Sequence, residues 1–164
     1  MRFRLRDADR TMRVFLTSFI IVVSAGYAVG LLFVDHTTSM TNEGVEQQFL
    51  GTPESTAAEE LRYAKGPHEM FVFLHNHILS LSLLFFVLGG IFFFSSITPT
   101  RWKGFLLIEP FGAIITTFGG IVLVRYVSPS FSWLVIISGL SLPICYAAMV
   151  LLILKELWWG SRNT

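Results

Sequence analysis

Apolar residues in this chain run in long blocks, and the polar residues collect between them. Four blocks, 14–34, 71–97, 104–124 and 131–154, hold no Lys, Arg or Asp in their interiors. At about 1.5 Å of rise per helical residue, each can cross a hydrocarbon layer of about 30 Å. No water reaches the main chain in that layer, so a lone apolar block satisfies its own backbone by becoming a helix. The pattern predicts an all-α integral membrane protein of four transmembrane helices in an antiparallel up-down bundle. It is read as a single membrane domain over 1–164, with one long loop at 35–70. The short connections "SITPTRWKG" and "RYVSPSF" make the second, third and fourth helices sequential neighbours.

Within the loop, Thr52 is an expected N-cap and Pro53 a first helical residue, which predicts a short surface helix over about 53–64. "EGVEQQFLG" before it, with Val45 and Phe49 four apart, is expected to hold a further turn. Pro143 is expected to kink the fourth helix and free a carbonyl for Ser141 or a neighbouring helix. Pro110 suits a first helical turn, which would start the third span at 110 and leave Glu109 beside its positive end, with "RWKGFLLI" along the interface.

Composition agrees with the blocks, at 53% hydrophobic and 14% charged residues. Charge placement orients them. Arg2, Arg4, Arg6, Arg10 and Arg13 precede the first block, Arg101 and Lys103 separate the second from the third, and Lys155 and Arg162 follow the fourth. By the positive-inside rule both termini are expected in the cytoplasm, and the acidic 35–70 loop on the periplasmic side of a bacterial inner membrane. Trp102, Trp133, Trp158 and Trp159 fall at block ends, where amphipathic rings favour the interface. The first block continues to Val34, past the small residues Ser24, Ala25 and Gly26, so it is read as a retained anchor and not a cleaved signal. Nothing in the charge pattern points to nucleic acid.

Candidate chemistry gathers at the loop end. His36, His68, His75 and His77 are the only histidines, and all lie near that interface. On a helix, His75 and His77 point about 200° apart. His68 therefore shares a stripe with Val72, His75 and Leu79, while Met70 shares one with Phe73, His77 and Ser80, and one stripe should face the bundle. Haem b is the leading cofactor expected, with axial imidazoles drawn from His36, His75 and His77 and Arg125 near the propionates. A copper site would take His36, Met40, Met70, His75 and His77, a mixture of imidazole and thioether suited to Cu(I). The alternative to both is no cofactor, the imidazoles serving as amphipathic interfacial residues. Cys145 is the only cysteine, which rules out an intramolecular disulfide and a c-type haem attachment.

Glu109 is the one carboxylate inside a block, and a proton-relay or quinone-site role is weighed against the helix-start reading above. No nucleophile lies beside a base and an orienting acid, so a self-contained enzyme is not expected. Gly26 with Gly30, and Gly112 with Thr116 and Gly120, have the small-xxx-small spacing by which membrane helices approach closely, within one chain or between subunits. The expected function is a small membrane subunit that holds a redox cofactor near the outer face for an electron-transfer complex. The alternatives are a copper or other metal-binding membrane protein and a cofactor-free scaffold or assembly subunit.

Overall fold

The computed structural model describes residues 4–52 and 62–160. It contains four membrane-length helices and one short one: α1 (Arg10–Thr38), α2 (Asn42–Leu50), α3 (Pro67–Phe93), α4 (Thr100–Tyr126) and α5 (Ser132–Trp159). Each span contains its predicted block, except that α3 stops at Phe93 where the block ran to 97 and α5 starts one residue late at Ser132. α4 and α5 form the central pair, α3 packs on both, α1 lies along α5, and α2 bridges α1, α4 and α5 at the loop end. Packing reflects this order: α1 and α3 bury 11% of their most apolar segments, α4 buries 44% and α5 28%.

Between α4 and α5 the core is filled by Ala113, Ile114, Phe118 and Ile121 against Val135, Leu142, Met149 and Ile153. α3 adds Phe85, Leu88 and Phe92. Lipid tails are as apolar as these side chains, so close packing rather than water exclusion holds the helices together. Glycine allows the closest approaches: a Cβ on Gly120 would stand 3.0 Å from Val135 Cγ2, and one on Gly89 would stand 3.2 Å from Leu107 Cδ2. Gly26, Gly30 and Gly112 face open space. The Gly112–Gly120 stripe is therefore divided, with Gly120 inside the bundle and Gly112 outside it.

Asp9 starts α1 by accepting the Met12 amide at 2.7 Å. Ser39 and Met40 end it in the left-handed region, at φ 49° and 52°. The chain then doubles back so sharply that a Cβ on Gly44 would collide with the Thr38 carbonyl. Only glycine fits that corner. Thr41 caps α2 through the Gly44 amide at 3.0 Å, and Val45 and Phe49 are buried, which bears out the expected turn as a full short helix. Past α2, the Thr52 amide donates to the Arg62 carbonyl at 2.9 Å and Gly51 bridges Tyr63 in antiparallel fashion. The surface helix expected over 53–64 falls mostly on residues 53–61, outside the described residues. Its last three, 62–64, are non-helical because their backbone pairs with 51–52 instead.

Pro110 corrects the sequence reading of a helix start, and at Pro143 Ser141 does not reach the carbonyl expected for it. α4 runs unbroken from Thr100 through Pro110, so Glu109 lies mid-span and not at a helix start. α5 likewise continues through Pro143. There Ser141 Oγ donates to the Ser138 carbonyl at 2.9 Å, and Ser138 Oγ to Leu134 at 2.7 Å, so hydroxyls bond to carbonyls in the turns before the proline. The carbonyl that Pro143 leaves without its amide is that of Gly139, one residue beyond the one Ser141 reaches.

Candidate functional site

Depth can be measured against Arg125. Its Nε donates to the Lys65 carbonyl at 2.8 Å and its guanidinium lies 5.2 Å over the Tyr126 ring, which ties the end of α4 to the segment leading into α3. Seven residues before it on α4 is Phe118, whose ring centroid is 5.8 Å from that of His77. At about 1.5 Å per residue, His77 sits roughly 10 Å below Arg125 along the helix axis.

His77 is also oriented. Its Nδ1 lies 2.9 Å from the Phe73 carbonyl, an acceptor only, so Nδ1 carries the proton in this bond, and the tautomer that makes it has its lone pair on Nε2. The ring is 4.2 Å from that of Phe73, which in turn meets Phe49 of α2 at 5.6 Å. Of the two stripes drawn from the sequence, that of Met70 and Phe73 turns toward the bundle, with His77 exposed at its edge but in ring contact with Phe73 and Phe118, while that of His68, Val72, His75 and Leu79 is exposed throughout. Neither His75 nor Asn76 has a side-chain hydrogen-bond partner among the described residues. They point away from the protein at the depth of His77.

His36 lies elsewhere. Exposed at the end of α1, it lines an open recess of about 320 Å³ with Thr37, Gln48, Arg62, Tyr63 and Lys65, and neither His75 nor His77 contributes to that recess. Arg62 shapes it by donating to the Thr37 carbonyl at 2.5 Å and to Gln48 Oε1 at 3.2 Å. The two thioethers are separated in character, Met70 being 2% exposed in the core and Met40 39% exposed at the turn after α1. Among the described residues, no three His, Cys, Asp or Glu side chains gather as a metal-holding group.

Deeper polar groups are matched within the bundle. Cys145 donates its thiol to Glu109 Oε2 at 3.0 Å, joining α5 to α4. Thr117 donates to Ser138 at 2.8 Å between the same helices. Ser24 of α1 meets the Tyr146 hydroxyl at 2.8 Å, and Tyr27 stacks on the Tyr146 ring at 4.2 Å. These are interhelical ties of the kind that hydroxyls supply in membranes.

One polar centre escaped the sequence reading. Glu156, fully buried near the end of α5, accepts from Ser95 Oγ at 2.5 Å, from Ser96 Oγ at 2.6 Å and from the Ser96 amide at 2.8 Å. The chain leaves α3 at Phe93 to make this loop, which is why the helix is shorter than its apolar block. Lys103 Nζ closes the loop by donating to the Ser95 and Phe93 carbonyls. Its signal in the sequence was the adjacent pair Ser95–Ser96, together with a carboxylate two residues past the end of the last block.

Neither a curated protein nor a solved structure matches this chain. A family model described as a transmembrane helical domain, Aq_1264_TM, matches residues 39–164, from the turn after α1 through α2, α3, α4 and α5. With four apolar helices of membrane length and most of its residues under that match, the chain is an integral membrane protein belonging to the Aq_1264_TM family of transmembrane helical domains.

Proposed function

We propose that this protein is a small integral-membrane subunit that assembles laterally with other membrane-embedded chains, with α1 and the polar face of α3 as its contact surfaces. The observation that carries the reading is His75 and Asn76, directed away from the bundle about 10 Å below Arg125 and without a side-chain partner among the described residues. Polar side chains at membrane depth ordinarily face a bundle interior or another protein. The open Gly26–Gly30 stripe on the weakly buried α1 supports it from a second helix. In this proposal the termini are cytoplasmic and the 35–70 loop lies on the periplasmic side of a bacterial inner membrane, a reading that the arginine-rich N-terminus supports.

Purification in mild detergent tests this. Larger species containing further polypeptide are expected, and Gly26→Ile with Gly30→Ile should shrink them. A wild-type chain that purifies alone and monomeric would sink the proposal.

Redox-cofactor binding is a second reading, favoured by His77. A ring nitrogen held on a backbone carbonyl leaves Nε2 free with its tautomer set, the usual arrangement of a metal-bound imidazole. Haem b would then take His77 from this chain and its second axial imidazole from a partner, because His36 lines a separate recess. The copper set of His36, Met40, Met70, His75 and His77 is dispersed between the core and two surfaces, which weakens it. A reduced-minus-oxidised spectrum of wild-type protein should show a sharp α band that His77→Ala abolishes. No band in protein from haem-competent cells would rule the reading out.

A further inference from the structure

α3 carries two stripes on opposite sides. Met70, Phe85, Leu88 and Phe92 face the bundle. At about 100° per residue, Val72, Asn76, Leu79, Leu83, Phe86 and Gly90 fall on the far side, and all six are exposed. Their spacing alternates between four and three residues, the repeat by which two helices interlock along a common seam. Lipid can cover the apolar members of this stripe. It cannot satisfy the Asn76 carboxamide, which has two donors and an acceptor and no partner among the described residues.

What covers the seam must match it at every position. All copies of a membrane protein insert in the same direction, so a second α3 beside the first runs parallel to it about a twofold axis along the membrane normal. Each residue then meets its own counterpart. Apolar positions are complementary to themselves. At a polar position this holds only for a group that both donates and accepts, and a carboxamide does both. The neutral imidazole of His75, one residue away at the seam's edge, has the same property. Gly90 leaves open space where a Cβ would project, allowing the two backbones to come close toward the other end of the helix. A single asparagine among apolar seam residues also fixes register, because any slip buries two unpaired amides.

We infer that α3 pairs with α3 of a second copy of this chain, Asn76 against Asn76, so that the partner in lateral assembly is the protein itself. This names a partner for the assembly proposed above and rests on that reading.

Cysteine cross-linking in native membranes tests it, since Cys145 is buried and introduced thiols report alone. Leu79→Cys and Leu83→Cys should each give a disulfide-linked dimer on oxidation, and Ile78→Cys, exposed on the flank of α3, should give little. In vesicles of wild-type chain carrying fluorescent donors and acceptors, Asn76→Leu should raise the dimer dissociation constant on the order of tenfold, and Asn76→Gln should restore much of it. Seam cysteines that cross-link no better than Ile78→Cys, or an Asn76→Leu chain that dimerises as tightly as wild type, would overturn the inference. Seam cysteines joined only to a different polypeptide would overturn self-pairing and leave lateral assembly standing. If they join nothing and the wild-type chain also purifies alone, both are wrong.

Discussion

Glu156 shows how a single charged residue can organise one end of a membrane bundle. Two hydroxyls and a main-chain amide from the Ser95–Ser96 loop converge on its carboxylate. Hydrogen bonds to a charged group are stronger than neutral ones, and removing the acceptor strands buried donors. Glu156→Ala is expected to cost about 3 kcal/mol, seen as a lower melting temperature in detergent. An unchanged melting temperature would mean that water or lipid headgroups satisfy the loop equally well. The residue was hard to read in sequence because its importance comes from a loop 60 residues away that folds onto it. His77 was easier, since helical geometry already separated its stripe from that of His75. The backbone bond that sets its tautomer depends on the local turn and was not legible.

At the scale of elements, the spans were legible and their irregularities were not. Length and the absence of Lys, Arg and Asp identify an apolar block whatever its neighbours do, so all four helices could be anticipated. Proline is different, because whether it starts a helix or passes through one depends on whether surrounding side chains hold the helix on course. Pro110 is buried in continuous α4. Small-residue stripes are ambiguous in the same way: spacing marks where helices can approach, while only packing tells which glycine is used. Gly120→Ala should destabilise the protein by about 1 to 2 kcal/mol, since the added methyl meets Val135 and the neighbouring backbone. Gly112→Ala, with open space before it, should be neutral or slightly stabilising through helix propensity. Thermal unfolding of the two variants side by side would distinguish these outcomes, and equal losses would contradict the observed division of that stripe.

Across the whole molecule, a tightly packed pair, α4 with α5, carries two weakly buried outer helices. Beyond its loop-end contacts with α2 and Arg62, α1 is attached to α5 at few points, chiefly Ser24 and Tyr27 to Tyr146 and Thr17 to the Trp158 indole at 3.0 Å, with its glycines directed outward. The Gly26→Ile, Gly30→Ile chain should therefore keep the wild-type melting temperature while losing its partners. A fall in melting temperature would place those glycines inside the fold instead. The histidines follow the same division. All four lie on the outer helices and are exposed, and of them His77 alone has its ring against α4, so any chemistry at His36 or His75 is completed by something other than this bundle.

The attachment of α1 also sets an order of events during synthesis. Ser24 and Tyr146 are 122 residues apart in the chain, and Thr17 and Trp158 are 141 apart. Ribosomes extend a chain at roughly 5 to 20 residues per second, so α1 waits on the order of ten seconds in the bilayer before the helix that receives it exists. During that interval its outward glycines and inward hydroxyls are equally available, and the nascent first span is open to capture by any neighbour already in the membrane.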